Sequence, residues 1–342
     1  MRESVGMEWE YWKKQAKNAL IFARWCVFAV VIGVVVGVTG TAFHHALDWA
    51  GRMREQHDWL LYLLPLAGVF IAFWYKKSEM PLERGTNFIL TSVRENHPVR
   101  LRLAPSIFVT SVLTHLCGGS AGREGAALQM GGTIGYHLGG LFHLDDRDLR
   151  TATMVGMAAF FTALFGTPLA ATVFAMMVIS IGVFYHAAFL PCLTASLTAY
   201  GVSQLLGVAP TRFNVSAPGL ELVTLLRVAA LAALCALVSI LFCQTIHFAE
   251  KQMVRRLPNS YIRVVVGGLA IIALTLLCGT TDYNGAGMDI VTRAVEQGQA
   301  APAAFLLKLL FTAVTLSAGF KGGEVVPSFF VGATFGCVVG PL

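Results

Sequence analysis

Long apolar runs, cut by short charged or glycine-rich breaks, set the pattern of this chain. Leu20–His44, Leu60–Tyr75, Ala187–Leu206, Leu225–Phe248 and Val264–Cys278 read as helices that cross the roughly 30 Å of bilayer hydrocarbon. Thr151–Phe184 reads as two apolar segments interrupted at Gly166-Thr167-Pro168. Leu103–Cys117 is short, which suits a broken helix better than a full span, and Ala303–Ser317 leads into a second glycine turn. Residues 1–19 read as a surface helix with Trp9, Tyr11 and Trp12 at the interface. Lys13, Lys14, Lys17 and Arg24 mark its side as cytoplasmic. His44 and His45 close the first span as interfacial caps, because adjacent helical residues face different ways. Arg52–Asp58 is expected to be a short external loop, and Lys76–Arg84 and Arg94–Arg102 cytoplasmic ones.

Two breaks resemble each other. Gly118 to Gly139 reads GGSAGREGAALQMGGTIGYHLG, a glycine turn that opens a helix with Gly131, Gly135 and Gly139 four apart. That spacing puts the three glycines on one face, where a second helix can come close. Gly322 to Gly340 repeats the frame 201 positions later, with Gly323 on Gly122, Gly332 on Gly131, Gly336 on Gly135 and Gly340 on Gly139. Paired broken helices in the two halves of a membrane protein point to a binding site near the bilayer midplane. Free backbone N–H groups and the positive end of the helix dipole at such a turn favour an anion. Glu124, a carboxylate in an apolar setting, is a functional candidate there. The polar stretch 207–220, with Pro210, Pro218 and the Asn214-Val215-Ser216 sequon, divides a first membrane repeat (20–206) from a second (221–342). The second repeat reads as incomplete, because the chain stops at Pro341-Leu342 inside an apolar run.

Composition agrees with an integral membrane protein: 56% of residues are hydrophobic and 13% charged, against about 25% charged in soluble domains. The net charge of +6 lies in short segments between apolar runs, as orientation signals do, so nucleic acid is not an expected partner. The seven cysteines lie in or beside apolar runs with no CxxC, so neither disulfides nor a metal centre is expected, and no cofactor. No cleavage site follows the first apolar run, which is expected to remain as an anchor. Gly118-Gly119-Ser120-Ala121-Gly122 fits the G-x-S-x-G of serine hydrolases, with His115 as a candidate base. That motif needs a strand-to-helix elbow, and this chain offers apolar helices instead.

Three segments together resemble the CLC family of anion channels and anion/proton antiporters. Gly122-Arg123-Glu124-Gly125, continuing to Gln129 and Gly131, is similar to the family's GK/REGP segment. Gly319-Phe320-Lys321-Gly322-Gly323-Glu324-Val325-Val326-Pro327 is similar to its GxPGGxFxP segment, and Ala163–Ala170 to its helix junction. The resemblance implies an all-α polytopic bundle built as an inverted repeat, with broken helices meeting at a midplane anion site, and a homodimer. Asn87, in Gly85-Thr86-Asn87-Phe88-Ile89, stands where chloride-transporting members carry a coordinating Ser, and Glu324 where they carry an apolar residue. Both departures look like the fluoride/proton antiporter branch of bacterial inner membranes. A small, strongly hydrated ion suits an amide with two donors better than a hydroxyl with one.

On that resemblance Asn87, with Gly85 and the backbone N–H groups of Phe88, Val325 and Val326 and the turn at Gly323, would hold the anion. Glu124 would be the gate, filling the site when ionised and carrying a proton when protonated. Arg123, Gly122, Gly125 and Glu324 would support them, Arg123 in an outer vestibule. Two family features are missing. No carboxylate follows the helix junction, at Phe174–Val178, so the inner proton route is unassigned; nor does this sequence reach the helix that bears an anion-facing Tyr.

Overall fold

The computed structural model describes residues 2–80, 87–95, 97–179, 185–216, 219 and 221–341, and the side chains among these except those of 2–11 and 87–88. Among them the chain is helical with no strand. In order the helices are α1 (Arg2–Gln56), a 3₁₀ helix (Asp58–Leu63), α2 (Leu64–Lys77), α3 (Asn87–Glu95), α4 (Leu103–Leu116), α5 (Glu124–Leu141), α6 (Asp146–Phe165) and α7 (Pro168–Met177). There follow α8 (His186–Leu205), α9 (Leu222–Arg256), α10 (Ser260–Cys278), α11 (Met288–Gln297), α12 (Ala304–Ala318) and α13 (Val325–Val339). Among the described residues four segments are long and apolar enough to cross a membrane: Trp12–Gln56, Asp58–Lys77, α9 and α10. The α9 surface is apolar and largely exposed, with Leu226 at 63% and Leu237 at 64%, as expected of a helix solvated by lipid.

The N-terminal surface helix, the first span and most of the expected external loop are one helix. α1 continues through Arg52 and Arg54 to Gln56. No proline interrupts residues 2–56, and a continuous helix satisfies every interior backbone group where water is absent. The arginines that suggested a loop sit in its last turns, where cations suit the helix dipole.

The helices divide into two compact units. The first comprises Met1–Ala42, Ile89–Leu101 and Gly131–Pro210. Small residues bring its helices together. A Cβ added at Gly131 would lie 2.3 Å from the Gly156 carbonyl oxygen, and one at Gly135 2.2 Å from that of Ala152. The glycine face of α5 is thus the surface on which α6 lies, the close approach that the four-residue spacing predicts. α6 begins with the Asp145 side chain accepting from the Asp148 N–H, and ends at Gly166 with φ 69°. Thr167 and Pro168 then start α7, Pro168 occupying the first-turn position that lacks an N–H partner anyway.

The second unit comprises Phe43–Phe88, Arg102–Met130 and Thr211–Leu342. Its apolar cluster joins Phe242 and Ile246 of α9, Leu309 and Ala313 of α12 and Val331 of α13. The glycine face of α13 differs from that of α5: a Cβ at Gly332 or Gly336 would meet nothing within 4 Å among the described residues. α13 buries Val326, Phe330, Val331 and Thr334 instead. α4 and α12 both stop short at left-handed glycines, Gly118 at φ 82° and Gly319 at φ 108°. These two stops deliver the glycine turns of the second unit.

Candidate functional site

The two glycine turns meet as an antiparallel bridge. Gly122 N–H donates to the Gly323 carbonyl at 2.7 Å, and Gly323 N–H donates back to the Gly122 carbonyl at 2.8 Å. These are the residues that coincide when the sequence is slid on itself by 201 positions. A reciprocal pair between equivalent residues is what an approximate two-fold relation between two segments produces. The turns come this close because of their glycines: a Cβ at Gly323 would lie 2.6 Å from the Gly125 nitrogen, and one at the adjacent Gly322 2.3 Å from the Ala121 Cβ.

The bridge sets two helix N-termini on one side chain. Glu124, the first residue of α5, is fully buried. Its Oε2 accepts the Arg123 N–H at 2.7 Å, and its Oε1 accepts the Val326 N–H of α13 at 2.8 Å. The N–H of Val325 also faces it. The carboxylate therefore fills a cradle of backbone donors where the dipoles of α5 and α13 converge, an arrangement that holds a small anion. Gly122 and Gly323 form its floor: a Cβ at either would lie 2.3 Å and 2.6 Å from Glu124 Oε1. Gly125 contributes its N–H beside Gly323, 2.6 Å from that same added Cβ.

The remaining expected site residues lie as follows. Arg123 sends its guanidinium to His44 Nδ1 at 3.0 Å and to within 4.0 Å of Asp48, and His44 Nε2 is 3.1 Å from the Asp48 carboxylate. His44 is thus engaged with Arg123 and Asp48 rather than serving only as an interfacial cap. This cluster lines a cavity of about 520 Å³, together with Arg54, His115 and Asn284. Glu324 is exposed into a second cavity of about 130 Å³, shared with Glu250, Arg263 and Lys321. Gly85 lies outside the described residues, and Asn87 and Phe88 are placed only as the helical start of α3. The hydrolase pair is not assembled. The Ser120 hydroxyl lies 3.1 Å from that of Thr312, while His115 Nδ1 bonds the Ser111 carbonyl at 2.8 Å. No group of three or more metal-ligating side chains occurs among the described residues.

Two residues of this neighbourhood escape sequence reasoning. Lys308 is fully buried in α12, donating to the carbonyls of Tyr283 at 3.1 Å and Gly285 at 2.7 Å, 5.2 Å from the Phe330 ring centroid. A lone cation between Ala303 and Ser317 is a signal that could have found it. Asn284 donates to the Gly118 carbonyl at 2.8 Å, and Gly285 N–H to that of Gly119 at 3.1 Å, so the loop after α10 is stitched to the first glycine turn. Nothing in the local pattern of Asn284 announces that partner.

A family model described as voltage gated chloride channel matches residues 66–342. A chloride/fluoride channel protein of Pseudomonas syringae pv. tomato is 34% identical over 328 residues, 94% of this chain and 72% of that protein. The crystal structure of a CLC-type fluoride/proton antiporter superposes with a TM-score of 0.89 at 35% identity, covering 94% of this chain and 82% of that one. A slow cyanobacterial Cl−/H+ antiporter shares the fold, with a TM-score of 0.77 at 22% identity over 90% and 77% of the two chains.

Proposed function

The chain belongs to the voltage gated chloride channel (CLC) family, and from that premise we propose that it exports fluoride in exchange for protons. The observation that carries this reading is the Glu124 carboxylate held by backbone N–H groups of two helix N-termini. An ionised carboxylate and a small anion compete for the same donors. When Glu124 takes up a proton it loses charge, its hold on the cradle weakens, and an anion replaces it. One side chain thereby couples an anion moving one way to a proton moving the other.

Fluoride is favoured over chloride on the residues of the site. An amide at position 87, the first residue of α3, would bring two donors to an ion that must shed tightly held water. The P. syringae relative named for chloride and fluoride, and the fluoride/proton antiporter structure, support the same choice. The protein works in a bacterial inner membrane as a homodimer with its N-terminus in the cytoplasm. The last turns of α1 then reach the outside, and the cavity lined by His44, Asp48 and Arg123 is the outer vestibule.

Efflux from liposomes loaded with equal fluoride and chloride, followed with two ion-selective electrodes, tests the proposal. The expected result is fluoride release far faster than chloride release, accompanied by proton uptake. Chloride leaving as fast as fluoride would overturn the choice of ion and move the chain to the chloride/proton antiporters. Anion efflux without proton movement would make it a channel.

A further inference from the structure

α4 carries a ladder of side chains bonded back to its own carbonyls. Thr110 donates to Ser106 at 2.7 Å, Thr114 to Thr110 at 2.9 Å, and His115 Nδ1 lies 2.8 Å from the Ser111 carbonyl oxygen. A carbonyl only accepts, so the proton of the neutral imidazole sits on Nδ1 and Nε2 presents a bare lone pair. That Nε2 is buried and has no hydrogen-bond partner among the described residues. The ring nevertheless lines the 520 Å³ cavity beside Arg123, the neighbour of Glu124. A buried acceptor without a donor costs about 1–3 kcal/mol, so its retention calls for an explanation. A lone pair repels an anion. It accepts hydrogen from water or from an acid, so the ligand class that fits it carries a proton.

We propose that His115 Nε2 is the proton way station between the Glu124 carboxyl and the water of this cavity, a role that rests on the exchange reading above. An O–H bond of protonated cavity water breaks as an N–H bond forms at Nε2. That N–H bond then breaks as an O–H bond forms on the Glu124 carboxylate, through intervening water. One proton moves from the cavity to Glu124, and no electrons are exchanged. Arg123 from the turn, Arg52, Arg54 and His44 of α1 and Arg293 of α11 line the same cavity. Four carboxylates line the cavity and supply its water with protons: Asp48 and Glu55 of α1, Asp282 after α10 and Asp289 of α11. Once protonated at Nε2, the ring has the nearby Ala121 carbonyl as an acceptor.

The test is His115→Asn in the full chain, reconstituted in liposomes. Asparagine keeps an N–H donor for the Ser111 carbonyl and lacks the second ring nitrogen, so a purely structural role survives the change and the relay does not. His115→Gln, also without a group that titrates near neutrality, serves if the asparagine variant does not fold. The expected result is a fall in fluoride-driven proton uptake of at least about a hundredfold, the lower end of the usual range for losing a proton-transfer group. The pH dependence of the remaining flux should flatten. A variant with wild-type proton uptake and pH profile, beside an active wild type, overturns the relay alone. A wild type that moves neither fluoride nor protons overturns the exchange reading and the relay together.

Discussion

Replacing Glu124 by Gln changes one atom of the side chain and the charge, and the cradle makes the consequence calculable. Both carboxylate oxygens are used, Oε2 by the Arg123 N–H and Oε1 by the Val326 N–H. A carboxamide has one oxygen, so its NH₂ group must face one of these donors and repel it. One hydrogen bond to a charged acceptor is lost, worth about 1.5–3 kcal/mol, and one buried N–H is left unpaired at a further cost of about 1–3 kcal/mol. The two together weaken the hold by about 2.5–6 kcal/mol, which raises the population with the side chain out of the cradle by roughly fiftyfold to ten-thousandfold. The neutral amide also carries no proton. Proton uptake driven by a fluoride gradient should therefore vanish in Glu124→Gln, and any anion flux that remains should be uncoupled. The assay is a paired fluoride electrode and pH electrode on the same liposomes. A variant with the wild-type number of protons per fluoride would refute the argument, because the gate would then not be this carboxylate.

Three further substitutions test the frame around it. Gly323→Ala places a methyl 2.6 Å from both Glu124 Oε1 and the Gly125 nitrogen; coupled exchange should be lost while Gly332→Ala, which meets nothing within 4 Å, transports as the wild type does in the same assay. Lys308→Met strands two buried carbonyls, at Tyr283 and Gly285, at about 1–3 kcal/mol each, offset in part by no longer burying a cation; a lower thermal midpoint in detergent and faster proteolysis of the 283–287 loop are expected. Gly131→Ala forces a Cβ to 2.3 Å from the Gly156 carbonyl oxygen, so α5 and α6 must move apart; overpacking of this kind costs about 1–3 kcal/mol, read as a drop in the same midpoint.

Much of this protein is legible along the chain. Apolar run length marks the spans because a bilayer imposes one thickness on every crossing helix. The glycines at 118, 122, 319 and 323 mark the breaks because a left-handed or crowded backbone admits little else. The self-match at 201 positions names both halves of the bridge before either is seen. Local pattern misjudges the end of α1, where charged residues suggested a loop and the helix runs on to Gln56. Charge marks where a segment meets water, and does not by itself stop a helix.

Only the tertiary structure decides which distant groups share a site. The Val326 N–H that holds Glu124 is 202 residues away, the Asn284 side chain that braces Gly118 is 166 away, and His44, the partner of Arg123, is 79 away. Hydrophobic periodicity reports which face of a helix is buried, and says nothing about which helix buries it. The same limit separates the two glycine faces. Gly131 and Gly332 occupy equivalent sequence positions, yet the first lies against Gly156 and the second faces open space among the described residues. A glycine permits close approach, and the path of the neighbouring helix determines whether that approach occurs.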